Sequence, residues 1–172
     1  MTISFDLDMA DMMSFQKHYV NTAPAMKKAK SLIAYIFPLF ILIFGFLSFY
    51  SRHSRIDIYF IIIMLIISAL WAIFMPKFFV NRTLNRSKKI LSKPGNEVMF
   101  GKFEMTFNDS DFEVITAKTN SNILWSAIPK VEETENYIYI YLSQVSAYII
   151  PKRKISSEEV ENLRTVLKQH LL

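Results

Sequence analysis

Two long uncharged runs constrain this chain more than any other feature. Residues 31–50 and 58–75 contain no Asp, Glu, Lys, Arg or His, and seven residues, 51–57, separate them. Each run matches the roughly 17–25 apolar residues that an α-helix needs to cross the hydrocarbon core of a bilayer. Neither run has the polar face that a surface helix of a soluble domain turns to water. We therefore predict two transmembrane helices joined as a hairpin.

The hairpin divides the rest of the chain unequally. Residues 1–30 are too few to fold alone, whereas the residues after the second run suffice for one small domain. The absence of cysteine excludes disulfides, thiolate catalysis and zinc–thiolate sites. The predicted organisation is a strand–helix segment at 1–30, a hairpin at 31–76, a basic juxtamembrane helix at 77–96 and a folded domain at 97–172.

The net charge of +5 is concentrated beside the hairpin. Residues 77–96 carry six Lys or Arg and no acid, whereas residues 97–172 carry a net charge of −3. A nucleic-acid-binding surface would need the positive excess on the folded domain, so we expect no nucleic-acid partner. Lys and Arg in short flanks mark the cytoplasmic side of a span. We therefore expect both termini in the cytoplasm and the loop 51–57 outside.

The N-terminal segment has the pattern of a strand followed by a helix. Residues 3–7 alternate, Asp8 is placed to cap a helix with Asp11 in its first turn, and Pro24 ends the pattern. One interpretation is an amphipathic helix on the inner leaflet or a Met-rich partner surface. The other, which we favour, is that strand and helix pack on the C-terminal domain.

Two basic groups are candidate contacts for anionic lipid. After Pro76 we expect a helix over residues 78–92, on which cations recur at helical spacing. A positive side chain near an anionic surface contributes about 1 kcal/mol. The alternatives are a topology signal for the first group and a solvated turn for the second. The candidates are Arg82, Arg86, Lys89 and Lys93, and then Lys152, Arg153 and Lys154.

From residue 97 the pattern changes to the alternation of β-strands. Short alternating segments separated by turn residues predict strands at 103–107, 112–114, 123–128, 137–142 and 145–150. Ser156 and Glu159 then form a capping box before an amphipathic helix. We therefore predict a cytoplasmic α+β domain, an antiparallel meander or small barrel capped by a C-terminal helix. This is the plan of pleckstrin-homology-like domains, which by itself indicates no function.

The same region resembles a known family. The likeness lies in Trp125-Ser126-Ala127-Ile128, residues 130–134, the Tyr-rich strand 137–142, residues 149–153 and residues 157–159. In this combination the chain resembles the YcxB-like family of bacterial membrane proteins. The resemblance implies two spans in the bacterial cell membrane and a C-terminal domain of pleckstrin-homology-like character. It brings no catalytic residue and no ligand to this sequence.

Nothing in the sequence predicts catalysis. His18, His53 and His170 are distributed over the N-terminal helix, the loop and the last turn, which argues against a metal site or a catalytic triad. Three widely separated glycines cannot build a phosphate-binding loop. The acidic cluster Glu132, Glu133 and Glu135 has the composition of a solvated turn. We expect a protein that is not an enzyme and has no cofactor.

Aromatic side chains offer a second candidate binding surface. Tyr137, Tyr139 and Tyr141 alternate along one predicted strand, and Tyr148 is a candidate to join them across the hairpin. Exposed, they could hold a peptide or a lipid headgroup; alternatively the N-terminal segment covers them. We predict an adaptor for protein or anionic-lipid recognition, with a protein partner expected and homo-oligomerisation left open. The alternative is a subunit or an immunity or resistance factor of a membrane transport or toxin system, with the hairpin as working surface.

Overall fold

The computed structural model describes residues 1–51, 58–95 and 99–171. Residues 52–57 of the predicted external loop lie outside this range. Two compact units are present, Met1–Tyr19 with Ser87–Leu172, and Val20–Arg86. The helices are α1 (Met9–Thr22), α2 (Pro24–Ser51), α3 (Ile58–Leu91) and α4 (Ser157–Leu171). The strands are β1 (Thr2–Leu7), β2 (Gly101–Phe107), β3 (Asp111–Thr116), β4 (Asn120–Leu124), β5 (Lys130–Glu133), β6 (Tyr137–Tyr141) and β7 (Ala147–Pro151).

The two uncharged runs form the helices predicted for them. Segments Pro24–Leu47 and Ile61–Leu91 are each long and apolar enough to cross a membrane. Their large apolar side chains are exposed, for example 69% for Phe46 and 74% for Tyr59. Between α2 and α3, Trp71 donates its indole N–H to the carbonyl of Ile33 at 3.0 Å. These helices are compatible with insertion into a bilayer, where their exposed surface would meet lipid tails.

The helix after the second run is not a separate element. We expected a new helix from residue 78, but α3 runs through Pro76 to Leu91 without a break. Proline removes one backbone hydrogen bond, a loss that helices of this apolar kind tolerate when neighbouring groups and local adjustments compensate. The cations Arg82, Arg86 and Lys89 therefore lie on the same helix as the second apolar run.

The strands form two antiparallel sheets. One sheet has the order β1-β2-β3-β4 and the other the order β5-β6-β7. The antiparallel strands and the C-terminal helix confirm the predicted sheet-rich domain, but the predicted barrel alternative is wrong, since the described strands do not close into a barrel. The separation occurs at residues 123–128, which we predicted as one strand. There β4 ends at Leu124, and a 3-10 turn over Trp125–Ala127 leads to Pro129 and β5.

The first strand of the chain belongs to the C-terminal domain. β1 pairs with β2 in register from Thr2↔Thr106 to Leu7↔Gly101, so α1, α2 and α3 are inserted between two neighbouring strands. The inward side chains of β1 join the core, with Phe5 stacked on Phe103 at 5.9 Å between ring centroids. This confirms the interpretation that the N-terminal strand packs on the C-terminal domain.

Both faces of β6 are buried, which is unusual for one strand of a small antiparallel sheet. Ile138 and Ile140 lie on the face toward the four-stranded sheet, within a core shared with Leu163 of α4. The tyrosines alternate with them and so lie on the opposite face. The face that carries the tyrosines forms part of the candidate site.

Candidate recognition surface

The tyrosine stripe exists but is covered. Tyr137, Tyr139 and Tyr141 share one face of β6, and their exposed fractions are 8%, 1% and 1%. Tyr148 does not belong to the stripe: it pairs with Ile140, so it points toward the core, where its ring meets Phe112 at 5.9 Å. The structure therefore has a buried stripe of three tyrosines, and Tyr148, the fourth candidate, lies outside it.

Helix α1 is the element that covers the stripe. The ring of Phe15 lies 5.4 Å from Tyr139 and 5.9 Å from Tyr141 between centroids. The imidazole of His18 stacks on Tyr139 at 4.9 Å. The sequence left open whether the N-terminal segment covers these tyrosines, and the structure shows that it does.

At one end of the stripe, α1 presents a fully buried carboxylate. Asp11 is 0% exposed and contacts two cations: its Oδ1 lies 2.8 Å from Arg153, and its Oδ2 accepts a hydrogen bond from Lys154 at 2.7 Å. The hydroxyl of Tyr137 also donates to Asp11 Oδ1 at 3.1 Å and accepts a bond from Arg153 at 2.9 Å. A buried charge is stable only when it is paired and hydrogen-bonded, and Asp11 is both.

The start of α1 holds this carboxylate in place. Asp8 and Asp11 form a reciprocal cap: the backbone N–H of Asp11 donates to Asp8 Oδ1 at 2.9 Å, and that of Asp8 donates to Asp11 Oδ2 at 3.1 Å. Lys154 also donates to Asp8 Oδ2 at 2.8 Å. This hydrogen bond, with that of the Asp11 N–H, lowers the pKa of Asp8 to about 2.

The three cations predicted as lipid contacts at residues 152–154 are all paired within the domain. Lys152 binds Glu133 and the carbonyl of Thr134, the latter at 2.6 Å. Arg153 and Lys154 bind Asp11, as described above. Hydrogen bonds from Arg164 and Lys152, against an opposing effect of burial, lower the pKa of Glu133 to about 2. These cations thus hold the N-terminal segment and β5, which leaves little of their charge for a lipid headgroup.

At the other end of the stripe, a carboxylate of β5 meets the last turns of α1. Glu132 lies 2.8 Å from His18 and accepts bonds from Lys130 at 2.8 Å and from the Tyr141 hydroxyl at 2.9 Å. Burial alone would raise the pKa of Glu132, but the bonds from Lys130, His18 and Tyr141 outweigh it and lower this pKa to about 2. Lys130 also lies 4.0 Å above the ring of Tyr141.

The interpretation of Glu132 and Glu133 as a solvated turn was wrong. Both lie in β5, a strand that the sequence analysis missed. Alternation over only four residues is a weak signal. Their partners His18 and Arg164 are far away in sequence, so no local pattern could have identified them.

The juxtamembrane cations are placed differently. Arg82, Arg86, Lys89 and Lys93 are exposed, and none of them forms an ion pair with the described part of the chain. The first three lie on α3 at spacings of four and three residues, which places them on one side of the helix. Lys93 follows two residues after the helix ends.

A cleft of about 250 Å³ opens between the two sheets. Apolar side chains such as Phe5, Phe103 and Val114 line it, with the hydroxyls of Thr116 and Ser146 among its polar groups. Its lining includes no Asp, Glu, His or Lys. Within the described residues no group of His, Asp or Glu is arranged to hold a metal ion.

Comparison with known proteins gives one match. Residues 107–167 match the family model described as YcxB-like protein, which confirms the resemblance seen in the sequence. The matched segment begins with the last residue of β2 and ends within α4, so it includes the tyrosine stripe but not α1. No curated protein and no solved structure matches the chain at a level from which a relationship can be inferred.

Proposed function

We propose that this protein, whose residues 107–167 match the YcxB-like family model, is a two-span membrane adaptor. Its hairpin anchors a pleckstrin-homology-like domain at the cytoplasmic face, where the domain recognises a protein partner or anionic lipid. The four-stranded sheet, three-stranded sheet and C-terminal helix support the pleckstrin-homology-like comparison. Similarity of fold alone does not identify a ligand; the exposed side chains indicate what the protein can bind.

The observation that carries this proposal is the pairing of β1 with β2 across the hairpin. Strands that exchange backbone hydrogen bonds lie on one side of a membrane, so Leu7 and Gly101 share a side. A chain that crosses between them must cross an even number of times, which agrees with two spans. Lysines before the first run and the cations of residues 77–96 favour the cytoplasm as that side.

Lipid recognition rests on the juxtamembrane cations. Arg82, Arg86, Lys89 and Lys93 are exposed and form no ion pair with the residues that the structure describes, so their charge is available to an anionic surface at about 1 kcal/mol each. The uncharged runs favour an anchor over a transport pathway, because intramembrane ionisable groups usually mark such pathways.

The lipid preference is tested with the full-length protein in detergent, by native mass spectrometry. We expect phosphatidylglycerol to be retained in preference to phosphatidylcholine, and the preference to weaken with added salt. Replacing the four juxtamembrane cations by Gln should abolish it. The matched control replaces four exposed lysines elsewhere, Lys17, Lys102, Lys118 and Lys168. Equal retention of both lipids, or equal effects of the two quadruple variants, would refute lipid recognition by this helix.

A further inference from the structure

The outer face of the three-stranded sheet consists of the tyrosine stripe together with the surrounding Lys130, Glu132, Arg153 and Lys154. Its aromatic rings are shielded from water only when another element packs on them. Without α1, three large aromatic rings would be exposed side by side, a patch typical of interaction sites. The cover that the chain supplies is a helix outside the segment shared with the family.

The outer face carries opposite charges at its two ends, and the side chains of α1 are complementary to them. Cations Arg153 and Lys154 lie at the N-terminal end of α1, and Glu132 lies toward its C-terminal end. Asp11, Phe15 and His18 are spaced at i, i+4 and i+7, so they line one side of the helix. Each meets its complement: the acid meets the cations, the ring meets the tyrosines, and the histidine meets the carboxylate.

Helix α1 can leave the outer face by unwinding. One residue, Asp8, joins α1 to β1, and one residue, Ala23, joins it to α2, so α1 cannot move away as a rigid body without a change at these joints. At 14 residues, α1 has the length at which a helix is only marginally stable alone, so it depends on the outer face for its order. Both ends of the contact are ionic, and these ions regain hydration when the helix leaves. Pairing of β1 with β2 requires no contact from α1.

We propose that the outer face is a helix-docking surface, occupied in cis by α1 and open to a partner helix of the same chemistry. That partner is an amphipathic helix of another protein with an acid, an aromatic residue and a base at i, i+4 and i+7. The inference rests on the proposed adaptor function and deepens it by naming the partner class and its regulation. Docking of α1 holds the adaptor closed, and release of α1 opens it.

The test uses full-length protein in phosphatidylcholine nanodiscs and a fluorescent peptide with the sequence of residues 8–22. Phe15→Ala with His18→Ala in the protein weakens the cis contact. We expect the peptide to bind this variant about tenfold or more tightly than the unmodified protein, because self-docking reduces the fraction of competent surface. A peptide carrying Asp11→Asn, Phe15→Ala and His18→Ala should not bind. Equal binding of both peptides, or none by either, overturns the proposal.

The absence of native cysteine allows a matched locking experiment. In a Phe15→Ala background, a short bifunctional thiol reagent joins His18→Cys to Glu132→Cys, whose native side chains meet at 2.8 Å. The bridge should abolish the peptide binding that the same cysteine variant shows before the reagent is added. The control bridge, Thr2→Cys to Thr106→Cys across β1 and β2, should leave binding intact and reports that the sheet is folded. Phe15→Leu serves in place of Phe15→Ala if the control bridge fails to form.

Two further outcomes separate the sources of failure. Light scattering tests whether the Phe15→Ala, His18→Ala variant forms dimers and whether the peptide dissociates them. If both are observed, the occupant is the α1 of a second copy, and the partner proposal is overturned. If the α1 lock leaves peptide binding unchanged, the docking surface lies elsewhere, and the proposal is likewise overturned. Neither result affects lipid retention or membrane topology, so the adaptor function stands or falls separately.

Discussion

Asp11 is the residue on which the N-terminal segment depends most. Its carboxylate combines a helix cap, two ion pairs and a tyrosine hydroxyl at a fully buried position. Sequence analysis identified Asp8 and Asp11 as helix-start residues, because capping is a local pattern. It could not pair them with Arg153 and Lys154, since more than 140 residues separate the partners and no local signal links them.

We predict that Asp11→Asn destabilises the full-length protein strongly. The amide keeps the volume of the side chain but removes the buried negative charge that Lys154 and Arg153 contact and leaves Asp8 as the carboxylate beside them, at a cost of roughly 1.5–3 kcal/mol. Thermal unfolding in detergent measures the effect. The control Asp6→Asn makes the same change at an exposed side chain. A loss of stability no greater than that of the control would contradict the assigned role of Asp11.

We also predict acid-sensitive stability from the lowered carboxylate pKa values. Glu132 has a folded-state pKa of about 2 against an ordinary value of 4.5. A carboxyl whose pKa is lowered by folding stabilises the fold above the ordinary pKa. That contribution is lost as the pH falls from about 4.5 to about 2. Unfolding temperatures measured from pH 6 to pH 2 should fall across this window.

The matched variants for this pH series are Glu132→Gln and Glu135→Gln. Glu132→Gln should be less stable at pH 6 and should lose less stability on acidification, because the titrating group is absent. Glu135→Gln changes an exposed side chain of the neighbouring turn and should keep the full acid dependence. Parallel curves for Glu132→Gln and the unmodified protein would contradict the prediction.

At the scale of elements, the sequence predicted helix and strand boundaries best where a complete local motif was present. The capping box before α4 is present as expected, since the Ser156 N–H donates to Glu159 at 2.7 Å and the Glu159 N–H donates to Ser156 at 3.2 Å. The boundary at β4 was missed because residues 123–128 keep an apolar character through the turn. Trp125 there turns into the core and donates to the carbonyl of Asn108 at 3.0 Å, a contact that ends the strand.

We predict that Ser156→Ala lowers stability by about 1 kcal/mol, because it leaves a backbone N–H at the start of α4 without its cap. Ser157→Ala, one residue later and inside the helix, should change stability by only a few tenths of a kcal/mol. Chemical denaturation of both variants in one detergent gives the comparison. Equal effects would show that the cap contributes nothing specific.

At the scale of the whole molecule, the sequence predicted the two apolar helices and the sheet-rich domain but not the pairing of β1 with β2. Composition reveals apolar helices directly, whereas pairing between β1 and β2 is a contact between distant residues. The same limit left open whether α1 covers the tyrosine stripe. Alternation predicts that Tyr137, Tyr139 and Tyr141 share a face, but which element covers that face is decided by tertiary packing.

Because β1 pairs with β2, we predict that the whole domain lies on one side of the membrane. Single cysteines can report which side this is. In intact cells a membrane-impermeant maleimide should label Ser54→Cys, in the predicted external loop, and should not label Lys118→Cys, in the turn after β3. Lys118→Cys should react once the membrane is permeabilised. Labelling of Lys118→Cys in intact cells would invert the orientation, and labelling of neither site after permeabilisation would show that both are inaccessible.

The insertion of the hairpin between β1 and β2 also has a consequence for biosynthesis. β1 leaves the ribosome before β2, and 93 residues must follow it before this partner strand begins, a delay of roughly 5–20 s at ordinary translation rates. During that time the strand has an unpaired edge, of the kind that chaperones and proteases bind. A chain that inserts only one of its two helices can never pair β1 with β2. Completion of the sheet would therefore require that both helices have inserted.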